Sequence, residues 1–289
     1  MLDILRIDHK IISSKRLKIM LSNISNFERN AISHVLRGVY QIKTPTISGT
    51  QRNVFFVKTS EGDFVAKFGC RDIVFKNCFV AHLASRHGIF VPDISMAEYK
   101  GQWIEIYPMF PEKTLFEHIR EGMSEKTVRL AFENMLTQFV RMGSIQVPKN
   151  QQENKSLHIH NSTYEHTKNT NGTAMAMTLR PIVYMLNRGR ARNIGLYHSD
   201  MTTKNVIVNE KGSIVSIIDL DSMAICNRDY AFGAMADKWC ELGFNLHELY
   251  DKYEYLADQP INRMRINSML RTIHLGKYLM FKANKHRQK

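Results

Sequence analysis

Acidic side chains are scarce in this sequence: 27 Asp and Glu stand against 40 Lys and Arg, for a formal net charge of +13. A surface of that sign disfavours polycationic partners and attracts phosphates, anionic lipid or nucleic acid; net charge alone does not locate a patch, and a merely solvated basic surface has the same composition. Cysteine is also sparse. Cys70, Cys78, Cys226 and Cys240 are scattered without a CxxC pair, which leaves them as reduced core residues. No run approaches eighteen apolar residues, and the start MLDILRIDHK lacks the apolar core of a secretory signal, so the expectation is a soluble cytoplasmic protein. No internal repeat is present. What remains is an ordinary globular composition, 44% hydrophobic over 289 residues, enough for one large domain or two lobes.

The organising stretch is Leu196 to Asp221, LYHSDMTTKNVIVNEKGSIVSIIDLD. Residues His198 to Asn205 lack the apolar period of a helix. Val206, Ile207 and Val208, a turn at Glu210-Lys211-Gly212, and Ile214 to Ile218 read as a β-hairpin. Asp200 and Asn205 fall on the loop before the first strand and Asp219 at the end of the second, so one small hairpin can bring the three together. Phosphoryl transfer needs such a set: a carboxylate to orient and deprotonate a hydroxyl, and an amide with a second carboxylate to hold the Mg²⁺ that bridges the phosphates. Asp200 is the candidate base, and Asn205 and Asp219 are the candidate metal ligands. Asp221 is a candidate second-metal or loop residue, and His198 is expected to pack and hydrogen-bond rather than react.

HSDMTTKN followed by IIDLD resembles the catalytic loop and metal segment of the aminoglycoside phosphotransferase and choline kinase-like enzymes, the small-molecule branch of the protein-kinase-like fold. Asp229 in RDYAFG matches the family's D-[LY]-A segment, which implies that it opens a helix and buttresses the loop. The resemblance implies an α+β, bilobal protein-kinase-like fold, with a small β-rich N-lobe and a larger, mainly helical C-lobe. The expected division is a helical N-terminal extension over 1–43, a nucleotide-binding N-lobe over 44–107, and a catalytic and acceptor-binding C-lobe over 108–289. Ser199 stands where protein kinases usually carry Arg, and no A-P-E segment follows Asp219, which sets a protein kinase aside.

Within the first segment, Ser25 and Glu28 form a capping box before a helical run through Ala31, Val35, Leu36 and Val39. Strands are expected over 54–58 and 64–68. The polar turn between 47 and 53 resembles the nucleotide-covering loop of these enzymes, with Ser48, Gly49, Asn53 and Phe55 matching its pattern, although the later glycines of a G-x-G-x-x-G loop are missing. Lys67 in FVAKF is costly to bury in a strand unless its ammonium reaches a charge, and a kinase-like fold uses this position to grip the α- and β-phosphates; an exposed edge-strand lysine is the other reading. The helix that follows, about 72–87, should supply a glutamate to orient Lys67, yet Lys76 or Asn77 stands near the expected place. Asp72 or an acid from elsewhere pairs with the lysine, or the nucleotide alone holds it, or activity has been lost.

His87 to Pro92 resembles the family's HG-x-x-VP turn, and a hairpin is expected across Lys100-Gly101. Tyr107 to Phe110 are the candidate hinge whose backbone would read the adenine edge, with Tyr107 and Met109 as binding residues. Capping boxes or caps at Thr114 and Ser124 begin two helices, the second ended by Gly143. Residues 148–173 form a polar loop whose His158, His160 and His166 invite a metal reading that no Cys or carboxylate cluster completes. Beyond Asp229 the chain reads as helical.

The function expected is ATP- and Mg²⁺-dependent transfer of the γ-phosphoryl group to a hydroxyl of a small molecule or glycan, an anionic acceptor rather than a polycationic aminoglycoside. The alternative is a pseudokinase-type protein that uses its basic surface to engage a protein or anionic partner; nucleic acid is not the expected partner.

Overall fold

Ser25 is followed by the first turn of a helix, and its hydroxyl accepts from the Glu28 amide at 3.2 Å while the Glu28 carboxylate accepts from the Ser25 amide at 2.8 Å. This reciprocal box satisfies two of the N–H groups that a helix start leaves unpaired. A computed structural model describes residues 24–45, 53–148, 194–267 and 270–271. The chain divides into two compact units, Met1–Gly69 with Ala97–Met109, and Cys70–Met96 with Phe110–Lys289.

The first unit is a sheet covered by one helix. Helix α1 (Asn26–Val35) precedes strands β1 (Val39–Lys43), β2 (Val54–Thr59) and β3 (Gly62–Gly69), joined in the sheet by β4 (Ser95–Tyr99) and β5 (Gln102–Pro108) in the order β1-β2-β3-β5-β4. Alternation along the strands sends Phe55, Val57, Ala66, Phe68, Ile104 and Ile106 to one face, where they bury Ala31 and Ile32 of α1. Each large side chain buried there contributes about 1.5–3 kcal/mol. Val39, which helical spacing assigned to the helix, starts β1 instead. Leu36 caps the helix in an extended conformation, and Gly38, at φ +63°, reverses the chain where a Cβ would meet Ser60 Oγ at 2.1 Å. Residues 26–43 therefore belong to the sheet unit and its core. The hairpin between β4 and β5 turns on Lys100 and Gly101, both at positive φ, as a two-residue I′ turn requires.

In the second unit, helix α2 (Arg71–Arg86) buries Val74, Val80, Ala81 and Ala84, together with Lys76 and Asn77. Strand β6 (Lys113–Thr114) leads into α3 (Leu115–Arg120), which starts on a Thr114–Glu117 capping box. The long α4 (Glu125–Gly143) follows from Ser124, whose hydroxyl accepts from the Thr127 amide. Gly143, expected to end this helix, is its last residue, and Ser144 is the cap. Strands β7 (Ile194–His198), β8 (Val206–Val208), β9 (Ile214–Ile217) and β10 (Met223–Asn227) form two small sheets: β6-β8-β9 and the antiparallel pair β7 with β10. Helices α5 (Arg228–Cys240) and α6 (Leu246–Ala257) complete the described core. Phe132, Trp239 and Phe244 stack in one aromatic group, and Phe139, Tyr197, Phe232 and Tyr253 in another. The apolar face of α4 supplies both Phe132 and Phe139 to this packing, which makes that helix the floor under β7 and β9.

Candidate active site

The loop of interest begins where β7 runs out. Met223 of β10 lies opposite His198, and Ser199 extends the pairing by donating both its amide and its hydroxyl to the Ser222 carbonyl at 2.9 Å. Residues 199 and 222 are thereby tied, which sets the start of the loop beside the segment that carries Asp219 and Asp221. The β8–β9 hairpin adds a second tie, since the Ile218 amide donates to the Asn205 carbonyl at 2.9 Å. Asp219 is the next residue. The hairpin read from the sequence thus brings Asp200, Asn205 and Asp219 into one neighbourhood.

His198 is fully buried beneath this loop. Its Nδ1 accepts from the Asp200 amide at 3.3 Å, so the ring proton sits on Nε2, which donates to the Ile218 carbonyl at 3.0 Å. Burial lowers its pKa, against the opposing pull of Asp219, the Ile218 carbonyl and Asp200. The imidazole links the loop to the hairpin through both ring nitrogens.

Inside the loop, Thr202 donates its amide to the Asp200 carbonyl and Asn205 donates its own to the Thr202 carbonyl, at 2.9 and 3.0 Å. Buried Met201 and Thr203 face inward, and the Thr203 carbonyl accepts from the Phe116 amide at 3.0 Å, which fastens the loop to α3. The Asn205 side-chain amide donates to the Asp200 carbonyl at 2.9 Å and to Asp200 Oδ2 at 3.1 Å. The side-chain nitrogen of Asn205 is thus engaged by Asp200, and its Oδ1 lies on the other branch of the amide. The Asp200 carboxyl is pushed up in pKa first by the protein crowded around it and further by Asp219, while His198, the Asn205 amide and Lys238 pull it down.

Asp219 adopts the left-handed conformation, φ 62° and ψ 54°, ahead of a 3₁₀ turn at Leu220–Ser222. A non-glycine residue there costs on the order of 1 kcal/mol and persists only where its surroundings hold it. Helix α2 engages the turn that follows. The Lys76 ammonium donates to the Asp221 carbonyl at 2.6 Å and the Met223 carbonyl at 3.3 Å, and the Asn77 amide donates to Asp221 Oδ1. Asp221, a candidate for either the second metal or the loop, has its carboxylate engaged by Asn77.

Asn205 Oδ1 and the Asp219 carboxylate suit a hard cation. Among the described residues no group of three His, Cys, Asp or Glu could hold a metal by itself. The donor set therefore fits Mg²⁺ arriving with nucleotide phosphates, which supply the remaining oxygens, and not a self-contained metal centre. The three histidines at 158, 160 and 166 lie outside the described residues, as do Ser48 and Gly49.

Asp229 lies at the start of α5, buried, where its amide donates to Asn227 Oδ1 at 2.9 Å. Its carboxylate faces Arg228 at 3.4 Å and Arg265 at 3.9 Å. Its described contacts support the helix start and the end of β10, and it reaches the loop only through the pairing of β10 with β7.

In the sheet unit, Lys67 lies on β3 directly opposite Glu105 of β5, and both are buried, at 8% and 3% exposure. Facing residues of an antiparallel pair share one face of the sheet, so a carboxylate stands across from the lysine on its own sheet. The sequence leaves this acid open as Asp72 or one from elsewhere, and strand register puts Glu105 across from the lysine. Asn53 extends the β2–β3 pairing by accepting from the Phe68 amide at 2.9 Å. Tyr107 lies opposite Val65. In the expected hinge the Met109 amide donates to the Asp63 carbonyl at 2.8 Å, and Pro108 has no N–H.

No protein-family model and no curated protein matches the sequence. Solved structures do match. An aminoglycoside-3'-phosphotransferase of type VIII superposes with a TM-score of 0.61 at 9% identity, covering 83% of this chain and 94% of that one. The GDP complex of aminoglycoside 2'-phosphotransferase-IIIa gives 0.59 at 15% identity, covering 91% and 94%. An ethanolamine kinase from Plasmodium vivax gives 0.53 at 15% identity, covering 92% and 85%.

Proposed function

From a chain that has the kinase-like fold of aminoglycoside phosphotransferases and an ethanolamine kinase, we propose an ATP-dependent phosphotransferase that moves the γ-phosphoryl group to a hydroxyl of a small molecule or glycan. The observation that carries this reading is the double donation of the Asn205 amide to Asp200, with Asp219 one residue beyond the Ile218–Asn205 bond. A carboxylate whose Oδ2 is fixed by an amide keeps Oδ1 for the proton of an attacking hydroxyl. The same amide's oxygen and the neighbouring carboxylate would serve a cation.

In this mechanism Asp200 Oδ1 accepts the acceptor's hydroxyl proton as the oxygen attacks the γ-phosphorus and the bond to the ADP leaving oxygen breaks. Asn205 and Asp219 would hold a Mg²⁺, which would supply neutralisation of charge on the phosphate oxygens. Lys67, buried on β3 across from Glu105, would take the α- and β-phosphates. Solved neighbours contain ADP or GDP, which supports nucleotide use.

The acceptor we infer is anionic. Lys204, exposed in the loop itself, places its ammonium 5.1 Å from the Phe116 ring, and the Arg120 guanidinium lies 5.9 Å from the same ring. Two cations around one aromatic next to the base, on a chain of net charge +13, disfavour the amine-rich acceptors of the aminoglycoside enzymes.

The pseudokinase reading is favoured by one observation, the lysine and amide standing on α2 where a glutamate was expected. A direct experiment separates the two. The parent should bind Mg·ATP and hydrolyse it slowly, Asp219→Ala should weaken metal-dependent binding, and Asp200→Ala should cut turnover by roughly a hundredfold or more with binding retained. A parent that ignores nucleotide under all metal conditions removes the catalytic assignment and leaves the binding protein.

A further inference from the structure

Lys76 and Asn77 are adjacent on α2, almost fully buried, and directed at the same turn. An ammonium withdrawn from water is tolerated only when its protons are met, and Lys76 meets two backbone carbonyls, those of Asp221 and Met223, that bracket the 3₁₀ turn after Asp219. Both of these acceptors are chain carbonyls, so the two bonds hold the backbone path of the turn. Asn77 adds a side-chain bond to Asp221 Oδ1. Upstream of this clamp stands Asp219 in a left-handed conformation, which needs an external hold, and the Ser222 amide closes the turn onto the Asp219 carbonyl at 3.1 Å.

We propose that Lys76 and Asn77 are positioning residues for Asp219: α2 grips the turn at Asp221 and Met223 and thereby aims the Asp219 carboxylate toward the cation that Asn205 shares. Asp221 is the handle of this clamp and not a metal ligand. Helix α2, which carries no glutamate, is attached to the turn that follows Asp219. The proposal rests on the phosphotransferase reading for its consequence in catalysis, and on the contacts alone for its consequence in structure.

The test uses Lys76→Met, Asn77→Asp, Asp221→Asn and the exchanged pair Asn77→Asp with Asp221→Asn in the full-length chain. Asn77→Asp sets two carboxylates against each other, and the exchanged pair restores one amide facing one carboxylate. Two readouts are taken: the Mn²⁺ or Mg²⁺ concentration that half-saturates ATP binding, and amide hydrogen exchange across residues 219–224. Lys76→Met and Asn77→Asp are expected to raise the half-saturating metal concentration about tenfold or more and to speed exchange at Ser222 and Met223. The exchanged pair should return both readouts to within about threefold of the parent. A folded Asn77→Asp variant with the parent's metal requirement and exchange rates overturns the proposal even if Lys76→Met fails to fold, and so does an exchanged pair that restores neither readout. If the parent binds no nucleotide, the phosphotransferase reading fails, and the exchange rates still decide whether the clamp exists.

Discussion

Asn205 spends both hydrogens of its side-chain amide on Asp200, one on the backbone carbonyl and one on Oδ2. The five-residue gap between them closes because the Thr202 and Asn205 amides fold the loop back on itself. In the proposed mechanism this one side chain would orient the base and offer its remaining oxygen to the metal.

This arrangement has a pH signature. Asp200 must be ionised to accept a proton, and its pKa lies above the ordinary carboxylate value of 3.8 through the surrounding protein and the Asp219 charge. Turnover should fall as pH drops through that raised value, and Asn205→Asp, which replaces a donor with a like charge, should move the acidic limb to higher pH and reduce turnover at least tenfold. A kcat–pH profile of parent and variant checks this. An unmoved acidic limb in the variant speaks against Asp200 as the base.

His198 contributes to stability in the opposite pH sense from a salt-bridged histidine. Its folded pKa lies below the unfolded value of 6.5, so the unfolded chain binds a proton first as pH falls. Stability is fully present above about pH 6.5 and declines below it. Denaturant midpoints between pH 8 and pH 5 should show the fall, and His198→Gln, which does not titrate, should flatten it at the cost of a lower midpoint throughout.

Gly143 at the end of α4 lies under the Tyr197 ring, where an added Cβ would stand 2.3 Å from the hydroxyl and 3.0 Å from Cζ. Tyr197 is buried against Phe139, so its ring has little room to retreat. Gly143→Ala should destabilise the fold by about 1–3 kcal/mol despite alanine's better helix propensity. Thermal unfolding of Gly143→Ala beside Gly143→Ala with Tyr197→Phe, which removes the nearest atom, should show partial recovery in the double variant.

Lys204 and Arg120 should govern acceptor choice and leave nucleotide affinity alone. Lys204→Glu is expected to raise KM for an anionic acceptor about tenfold or more and to leave the KM for ATP within twofold. Turnover of a neutral analogue should change little, and the anionic preference of the parent should weaken as salt is raised.

Much of this site was legible because its spacing is local. His198, Asp200 and Asn205 fall within one loop, the β8–β9 hairpin declares itself through alternating apolar residues and Gly212, and Ser25, Thr114 and Ser124 announce their helices through hydroxyls that cap the first turn. Strand β10 was missed although Met223-Ala224-Ile225-Cys226 is an unbroken apolar run, because a buried strand that short has no period to separate it from a helix start. The extension expected over 1–43 was divided from its sheet for a related reason: helical spacing carries on through Val39, and only the strand partner shows that the chain has already turned.

By itself the sequence determined the elements and the chemistry they can carry: a base, an amide and a carboxylate on one loop and hairpin, and a lysine within a strand. Tertiary structure decided which groups each of them meets. Glu105 came to stand opposite Lys67 through strand register, the Met109 amide was taken by Asp63, and Lys76 reached a carbonyl 145 residues away. Hydrogen bonds within a turn are dictated by chain geometry and leave a spacing in the sequence. A bond between distant segments depends on how whole elements pack, and packing is set by the summed burial of many side chains, no one of which records its partner.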